Sequence, residues 1–236
     1  MQPDNQSNEY QSFRNFLEDV CGILLGDNKA YLVNSRLKPV LARHSLTSVS
    51  ELVSLLTQAS NKSLREEVVD AMTTNETLWF RDAHPFNILT SKLFPMYSEK
   101  AGRAPIKIWS AACSSGQEPY SIAITAKEFK DANPTKSFGG VKLVATDISS
   151  TVLSMAQAGI YEMLALGRGM SETRRKKCFT PHDDGRWEIK PEFKSVIDFQ
   201  SLNLMETYQK IGSNLDIIFC RNVLIYFSAD LKKEIL

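Results

Sequence analysis

From residue 106 onward the chain alternates short apolar runs with amphipathic stretches: IKIWSAA, then QEPYSIAITAKEFKDA, then VKLVATD, then SSTVLSMAQAGIY, and later LDIIFC ahead of SADLKKEIL. This order constrains the fold more than any other feature. Strands covered on both faces read as continuous apolar runs, and parallel neighbours can be joined only through a long crossover, usually a helix. An α/β domain with a parallel sheet and helices on its faces is therefore expected. Between Ile160 and Val196 the alternation breaks. That segment holds the basic cluster Arg174, Arg175, Lys176 and Lys177 and the turn signal Asp184-Gly185 ahead of WEIK. It reads as a small β excursion inserted in the α/β domain.

The first seventy residues read as helices. Phe13, Phe16, Leu17, Val20, Cys21 and Leu24 fall at helical spacing, with Gly26 as the expected stop. Two capping-box patterns follow, Ser48-x-x-Glu51 and Ser63-x-x-Glu66, each ahead of apolar residues at helical spacing. Between Gly26 and the first of these lies NKAYLVNSRLKPVLARH, which carries Lys29, Arg36, Lys38, Arg43 and His44, with no acidic residue from Asn28 to Ser50. The stretch reads equally as a solvated helix face or as a docking surface for an acidic partner.

Charge and cysteine usage exclude several classes. With 28 Lys and Arg against 27 Asp and Glu, the chain lacks the cationic excess of a general nucleic-acid binder. Its four cysteines, Cys21, Cys113, Cys178 and Cys220, form no Cys-x-x-Cys pair, so neither a zinc site nor a disulfide framework is indicated. The opening MQPDNQSNEY lacks the basic and apolar parts of a signal peptide, and no apolar run approaches the roughly 18 residues of a membrane span. A cytoplasmic protein without membrane insertion is expected.

In open α/β sheets ligands bind beyond the carboxyl ends of the strands. There the first strand leads into Ala111-Ala112-Cys113-Ser114-Ser115-Gly116-Gln117-Glu118, a turn of small residues that lets a ligand approach the backbone. The second strand ends in Asp147, where a carboxylate can accept hydrogen bonds from ribose hydroxyls. Asn203 follows a later run, and LDIIFC delivers Cys220, Arg221 and Asn222. One glycine stands where the dinucleotide fingerprint wants three, so NAD is disfavoured. S-adenosylmethionine (SAM) carries no phosphate and needs partners for a carboxylate and an ammonium, and loop residue Arg81 is a candidate for the carboxylate.

NETLWFRD, WSAACSSGQEPYSIA, VATDIS and FCRNVLIYF, in this order and spacing, resemble the chemotaxis receptor glutamate methyltransferases of bacteria, the CheR family. The resemblance runs from about residue 13 to the end. It implies an N-terminal helical domain over 1–75 and a Rossmann-like SAM-binding domain over 76–236, with a β-subdomain at about 160–198. It also implies methylation of glutamate side chains on the cytoplasmic signalling helices of chemoreceptors, in chemotaxis adaptation, with release of S-adenosylhomocysteine. The implied cofactor contacts are Asn75, Thr77, Arg81, Ala112, Glu118, Asp147, Asn203, Leu204, Cys220 and Arg221. Arg81 and Tyr226 match positions near the transferred methyl, and the receptor-reading helix aligns with Arg36 and Arg43. No metal is implied, and a monomer is expected. The run CFTPHDDGRWEIK is about three residues shorter than in members that tether to a receptor's C-terminal pentapeptide, which resembles the pentapeptide-independent members. The chain ends at Leu236, short of the family's closing strands, so an exposed sheet edge is expected.

Each residue also has a plainer reading. Tyr226 packs under the sheet, Asp147 caps the helix at Ser149 and Ser150, Glu118 answers a helix dipole, Arg221 is an ion-pair partner, and Cys220 is a small core residue. A cysteine hydrolase built on Cys113 would need a base from His44, His84 or His182. A nucleobase methyltransferase and a catalytically idle SAM sensor are the other rivals.

Overall fold

The computed structural model describes residues 3–100 and 104–236. Four helices open the chain: α1 (Pro3–Cys21), α2 (Ala30–Arg43), α3 (Val49–Leu56) and α4 (Lys62–Met72). Their apolar stripes close on one another, burying Phe13, Leu17, Val33, Leu37, Leu52, Leu56 and Val68 completely or nearly so. Helix α1 stops at Cys21 and not at the expected Gly26. Gly22 takes a left-handed conformation at φ +72° and donates its N–H back to the Glu18 carbonyl at 2.8 Å. The apolar spacing concealed this stop because Leu24 continues the stripe in sequence while standing 47% exposed in space.

The first capping box forms in part. The Ser48 hydroxyl accepts the Glu51 N–H at 3.1 Å, and the Glu51 carboxylate reaches one residue further upstream, accepting the Thr47 N–H at 2.7 Å. The second does not form. Helix α4 begins at Lys62 behind Asn61. The carbonyls at the end of α3 draw the local donors instead: Asn61 Nδ2 donates to the Leu55 carbonyl at 2.9 Å, and Arg65 Nε to that of Leu56 at 2.6 Å.

A connector, 73–83, leads into α5 (His84–Ile88), a π-helical turn (Leu89–Leu93) and α6 (Phe94–Lys100). Then come β1 (Ile106–Ala111), α7 (Gln117–Ala132), β2 (Val141–Asp147) and α8 (Ser150–Ala158). The inserted region holds β3 (Ile160–Tyr161), α9 (Met163–Gly167), α10 (Glu172–Cys178), β4 (Phe179–Pro181), β5 (Trp187–Ile189) and α11 (Pro191–Lys194). The chain returns through β6 (Ile197–Ser201), a 3-10 turn (Tyr208–Ile211), β7 (Ile217–Cys220), a second 3-10 turn (Leu224–Tyr226) and α12 (Ala229–Ile235).

The large sheet is wholly parallel in the order β6-β2-β1-β7, and the insertion forms an antiparallel sheet in the order β3-β5-β4. In the register of the large sheet Ala111 faces both Thr146 and Cys220, and Asp147 faces Ser201. The four carboxyl ends therefore lie together. From β1 the chain builds outward on one side through β2 and β6 and then returns to the other side as β7, which places a topological switch point at the end of β1. Strand β7 forms an edge among the described residues, and Ile218 on it is 55% exposed.

The small sheet is pinned to the connector through Trp79. The Trp79 ring packs edge-on against Tyr161 and Phe179, with centroids 5.0 and 5.4 Å away, and the Trp79 backbone N–H donates to the Arg168 carbonyl at 3.0 Å. The basic cluster of α10 is largely satisfied within this region: Arg174 holds Glu128 through two hydrogen bonds and stacks over Phe80, while Arg175 stacks over Trp187.

Gly22 is the tightest backbone constraint in the N-terminal region. A methyl group there would collide with Leu231 and press on Met205 and Phe227, in a conformation that L side chains avoid. Gly22→Ala is expected to lower unfolding stability by more than about 1 kcal/mol, read as a reduced urea midpoint at unchanged slope.

Candidate functional site

A cavity of about 450 Å³ lies between the N-terminal helices and the carboxyl ends of β1, β2 and β7. Its floor is the turn after β1. Ala112 and Ser114 adopt left-handed φ values of +54° and +50°, and Gly116 follows at +92°. Phe80, Asp82 and Asn222, also left-handed, stand on the neighbouring connector and on the loop after β7. Such conformations are costly for residues other than glycine and persist only where the surroundings hold them.

Asp147 supplies much of that hold. One of its carboxylate oxygens accepts the Ser114 N–H at 2.8 Å and the other the Ser149 N–H at 3.0 Å, so a single buried carboxylate ties the turn after β1 to the start of α8. Burial pushes this carboxyl up, and the N–H groups pull it back down. The capping reading of Asp147 is thus correct at Ser149, while the side chain also lines the cavity. The connector is tied to the same turn through the Ser114 hydroxyl, which donates to the Asn75 carbonyl at 2.8 Å.

A second network crosses from α7 to the loop after β7. Glu118 accepts from the Ser110 hydroxyl at 2.7 Å and from Arg221 at 2.9 Å, and Arg221 also reaches the Arg81 carbonyl at 2.8 Å and Asp82 at 2.7 Å. Burial pushes the Glu118 carboxyl up against the pull of Ser110, Arg221 and the nearby Arg81 charge. Arg221 is therefore an ion-pair partner as well as a cavity residue.

The N-terminal domain builds the remaining wall. Arg36 donates to the Met72 and Thr73 carbonyls at 2.6 and 3.0 Å and to the Thr74 hydroxyl, holding the start of the connector. Asn203 Nδ2 donates to the Val20 carbonyl at 2.7 Å, while its Oδ1 accepts the Met205 N–H. The Leu24 N–H donates to the Tyr226 carbonyl at 2.8 Å.

Of the thirteen positions expected from sequence, eleven line this cavity: Arg36, Asn75, Thr77, Arg81, Ala112, Glu118, Asp147, Asn203, Leu204, Arg221 and Tyr226. Cys220 and Arg43 do not line it. Cys220 is half-buried at the end of β7 beside the apolar cluster under the loop, and Arg43, largely exposed at the end of α2, pairs with Glu67 of α4 together with His44. Sequence reasoning missed the wall formed by Ile23, Leu24, Leu25 and Lys29, because these residues were assigned to a helix and a solvated face. The glycines at 22 and 26 were the available signal. No histidine lines the cavity, and burial holds the Cys113 thiol well above its ordinary range, so a cysteine hydrolase has neither base nor thiolate here.

The site suits SAM on its own chemistry. A turn of small residues opens its backbone to a ligand, a carboxylate stands at the end of the second strand, and no glycine-rich phosphate cradle is present. Glu76 is bonded to Arg168 and Glu118 to Arg221, whereas the Arg81 guanidinium has no partner among the described residues and is available to a carboxylate. The parallel sheet, the switch-point cavity and this donor set fit a SAM-dependent methyltransferase.

The family follows from two matches. Residues 75–236 match the CheR methyltransferase, SAM binding domain, and residues 8–73 match the CheR methyltransferase, all-alpha domain. The chain is 54% identical to a chemotaxis protein methyltransferase of Vibrio anguillarum over 228 residues, covering 97% of this chain and 82% of the relative. It is 48% identical, with the same coverage, to chemotaxis protein methyltransferase 1 of Pseudomonas aeruginosa. Over 219 residues it is 35% identical to the Salmonella typhimurium chemotaxis protein methyltransferase, covering 91% of this chain and 72% of that one. The chain belongs to the CheR methyltransferase family.

Two outcomes test the site as described. Arg221→Gln strips Glu118 of its cation and is expected to cost about 1–3 kcal/mol of stability, measured by denaturant unfolding. Burial raises the thiols of Cys21 and Cys178 to about 11 and pushes that of Cys113 well above its ordinary range, so these three should resist thiol reagents at pH 8 until the protein is unfolded.

Proposed function

We propose that the chain is a protein-glutamate O-methyltransferase that uses SAM to esterify glutamate side chains on the cytoplasmic signalling domain of chemoreceptors. One observation carries this reading: Arg81, whose guanidinium has no partner among the described residues, and Tyr226 share a single cavity with the positions expected to hold the cofactor, Asn75, Thr77, Ala112, Glu118, Asp147, Asn203 and Leu204. When bound, SAM supplies a sulfonium-activated methyl group.

What remains for the protein is mostly positioning. A glutamate side chain, with an ordinary pKa of about 4.3, is already ionised at neutral pH, so no general base is needed. Among the described residues the acids lining the cavity, Glu76, Glu118 and Asp147, are engaged in bonds to arginines or backbone N–H groups, which supports that reading. Arg81 neutralises a carboxylate in the cavity, and the Tyr226 hydroxyl donates a hydrogen bond that orients the acceptor or the donor. Walls contributed by both domains exclude water, which removes the solvation that holds an acceptor carboxylate back. Arg36 forms the cationic side from which an acidic receptor segment approaches, whereas the Arg43 charge further along α2 is matched by Glu67.

The same reading divides the chain into a helical domain over 1–75 and a catalytic domain over 76–236, acting as a cytoplasmic monomer. The described residues contain no helix long and apolar enough to cross a membrane. The β-subdomain supports pentapeptide-independent action through its tight β4–β5 connection, in which the His182 N–H donates to the Arg186 carbonyl at 2.8 Å and Gly185 turns the chain.

The test is transfer of a labelled methyl group to chemoreceptor-bearing membranes, with base-labile release of methanol marking an ester. Tyr226→Phe is expected to lower kcat at least tenfold with SAM affinity retained, and Arg81→Ala to weaken SAM or receptor binding. Full turnover by Tyr226→Phe would remove its assigned role. Tight SAM binding without transfer to any receptor would instead mark a SAM sensor.

A further inference from the structure

The charges lining the cavity do not balance locally. Glu76 and Glu118 each hold an arginine, and both oxygens of Asp147 accept backbone N–H groups. Among the described residues the Lys29 ammonium, like the Arg81 guanidinium, has no hydrogen bond or ion pair, and Arg36 bonds only neutral oxygens. The reaction proposed above brings two carboxylates to this cavity, one on the methyl donor and one on the acceptor. Arg81 stands on the connector and Lys29 at the start of α2, so the two free cations come from different domains.

Exposed apolar side chains also reach the same place. Of the large apolar side chains left exposed, Leu24 at 47% and Ile225 at 71% are the two that line the cavity. The bond from the Leu24 N–H to the Tyr226 carbonyl brings the two segments together, so they form one lip across the domain boundary. Exposed aliphatic side chains beside free cations at the mouth of a cavity fit a partner that presents apolar surface and negative charge together.

Resting on the proposed function, we propose that Leu24, Ile225 and Lys29 form the rim that selects the acceptor site. The partner is an acidic amphipathic helix of the receptor. It inserts its target glutamate toward Tyr226, with the acceptor carboxylate on the Lys29 side and the carboxylate of the methyl donor left to Arg81, and lays an uncharged apolar neighbour against Leu24 and Ile225. Glutamates with a charged neighbour on the lip side are rejected, because that charge would be desolvated there without a partner.

The test compares the wild-type chain with Leu24→Ser/Ile225→Ser and with Lys29→Glu. Methyl transfer to a receptor cytoplasmic fragment gives KM and kcat, calorimetry gives the dissociation constant for SAM, and thermal unfolding is recorded for each protein. The expected result is a rise of about tenfold in receptor KM for each variant, with SAM affinity and midpoint temperature unchanged. In a receptor fragment, replacing the lip-side neighbour of a methylated glutamate by lysine should abolish methylation at that site alone. An unchanged receptor KM overturns the proposal. Weaker SAM binding or a lowered midpoint also overturns it, by assigning the lip to the cofactor site or to the fold. Failure of the wild-type chain to methylate any receptor glutamate refutes the proposed function itself, and that outcome is read before any variant is made.

Discussion

The cavity depends on one buried carboxylate. Asp147 ends β2, and its two oxygens accept N–H groups from the turn after β1 and from the first residues before α8. Two strand-to-helix turns that would each carry unpaired donors at helix starts are instead joined through a single acceptor. The cost is desolvation, which raises the carboxyl, and the benefit is that Ala112 and Ser114 are held in left-handed conformations that expose their backbone to a ligand. Further outward, Ser114 holds the Asn75 carbonyl, so the connector is referenced to the same carboxylate.

The two domains are not a reader attached to a finished catalyst. The helical domain contributes the Val20 carbonyl to Asn203, the Leu24 N–H to the Tyr226 segment, and three donors of Arg36 to the start of the connector. Removing it would leave the loop after β6, the turn after β7 and the connector without their partners, although every strand of the large sheet would remain. Site formation and domain association are therefore one event. Gly22 is the hinge of that arrangement, since only its conformation lets α1 stop in time for residues 23–25 to become cavity wall.

How much of this was legible in the sequence follows the range of the interactions. The strand runs, the small β excursion and the Ser48 cap rest on local patterning, and they appear where the periodicity placed them. The residues at strand carboxyl ends were also legible, because parallel register forces those ends together. The stop of α1 was not. Leu24 keeps helical spacing with Leu17 and Val20, and only the close approach of Leu231 and Phe227 from more than two hundred residues away requires glycine at position 22. The Ser63 box failed for a similar reason, since the donors near the start of α4 answer carbonyls of α3 and not its own first turn.

Arg36 shows how two readings of one residue can both describe it. Its donors are committed to the end of α4 and the connector, which makes it a positioning element for Asn75 and Thr77. Those partners are carbonyls and a hydroxyl, so no carboxylate cancels its charge, and it lines the cavity with the field of a full cation. Arg43, one and a half to two turns further along α2, is in the opposite state: its charge is matched by Glu67, with His44 on the other oxygen of the same carboxylate. An acidic partner approaching α2 therefore meets an uncancelled cation at the cavity and a compensated one at the far end. The electrostatic gradient along this helix points into the site, which draws a carboxylate toward Arg36, Lys29 and Arg81 in preference to the more exposed end.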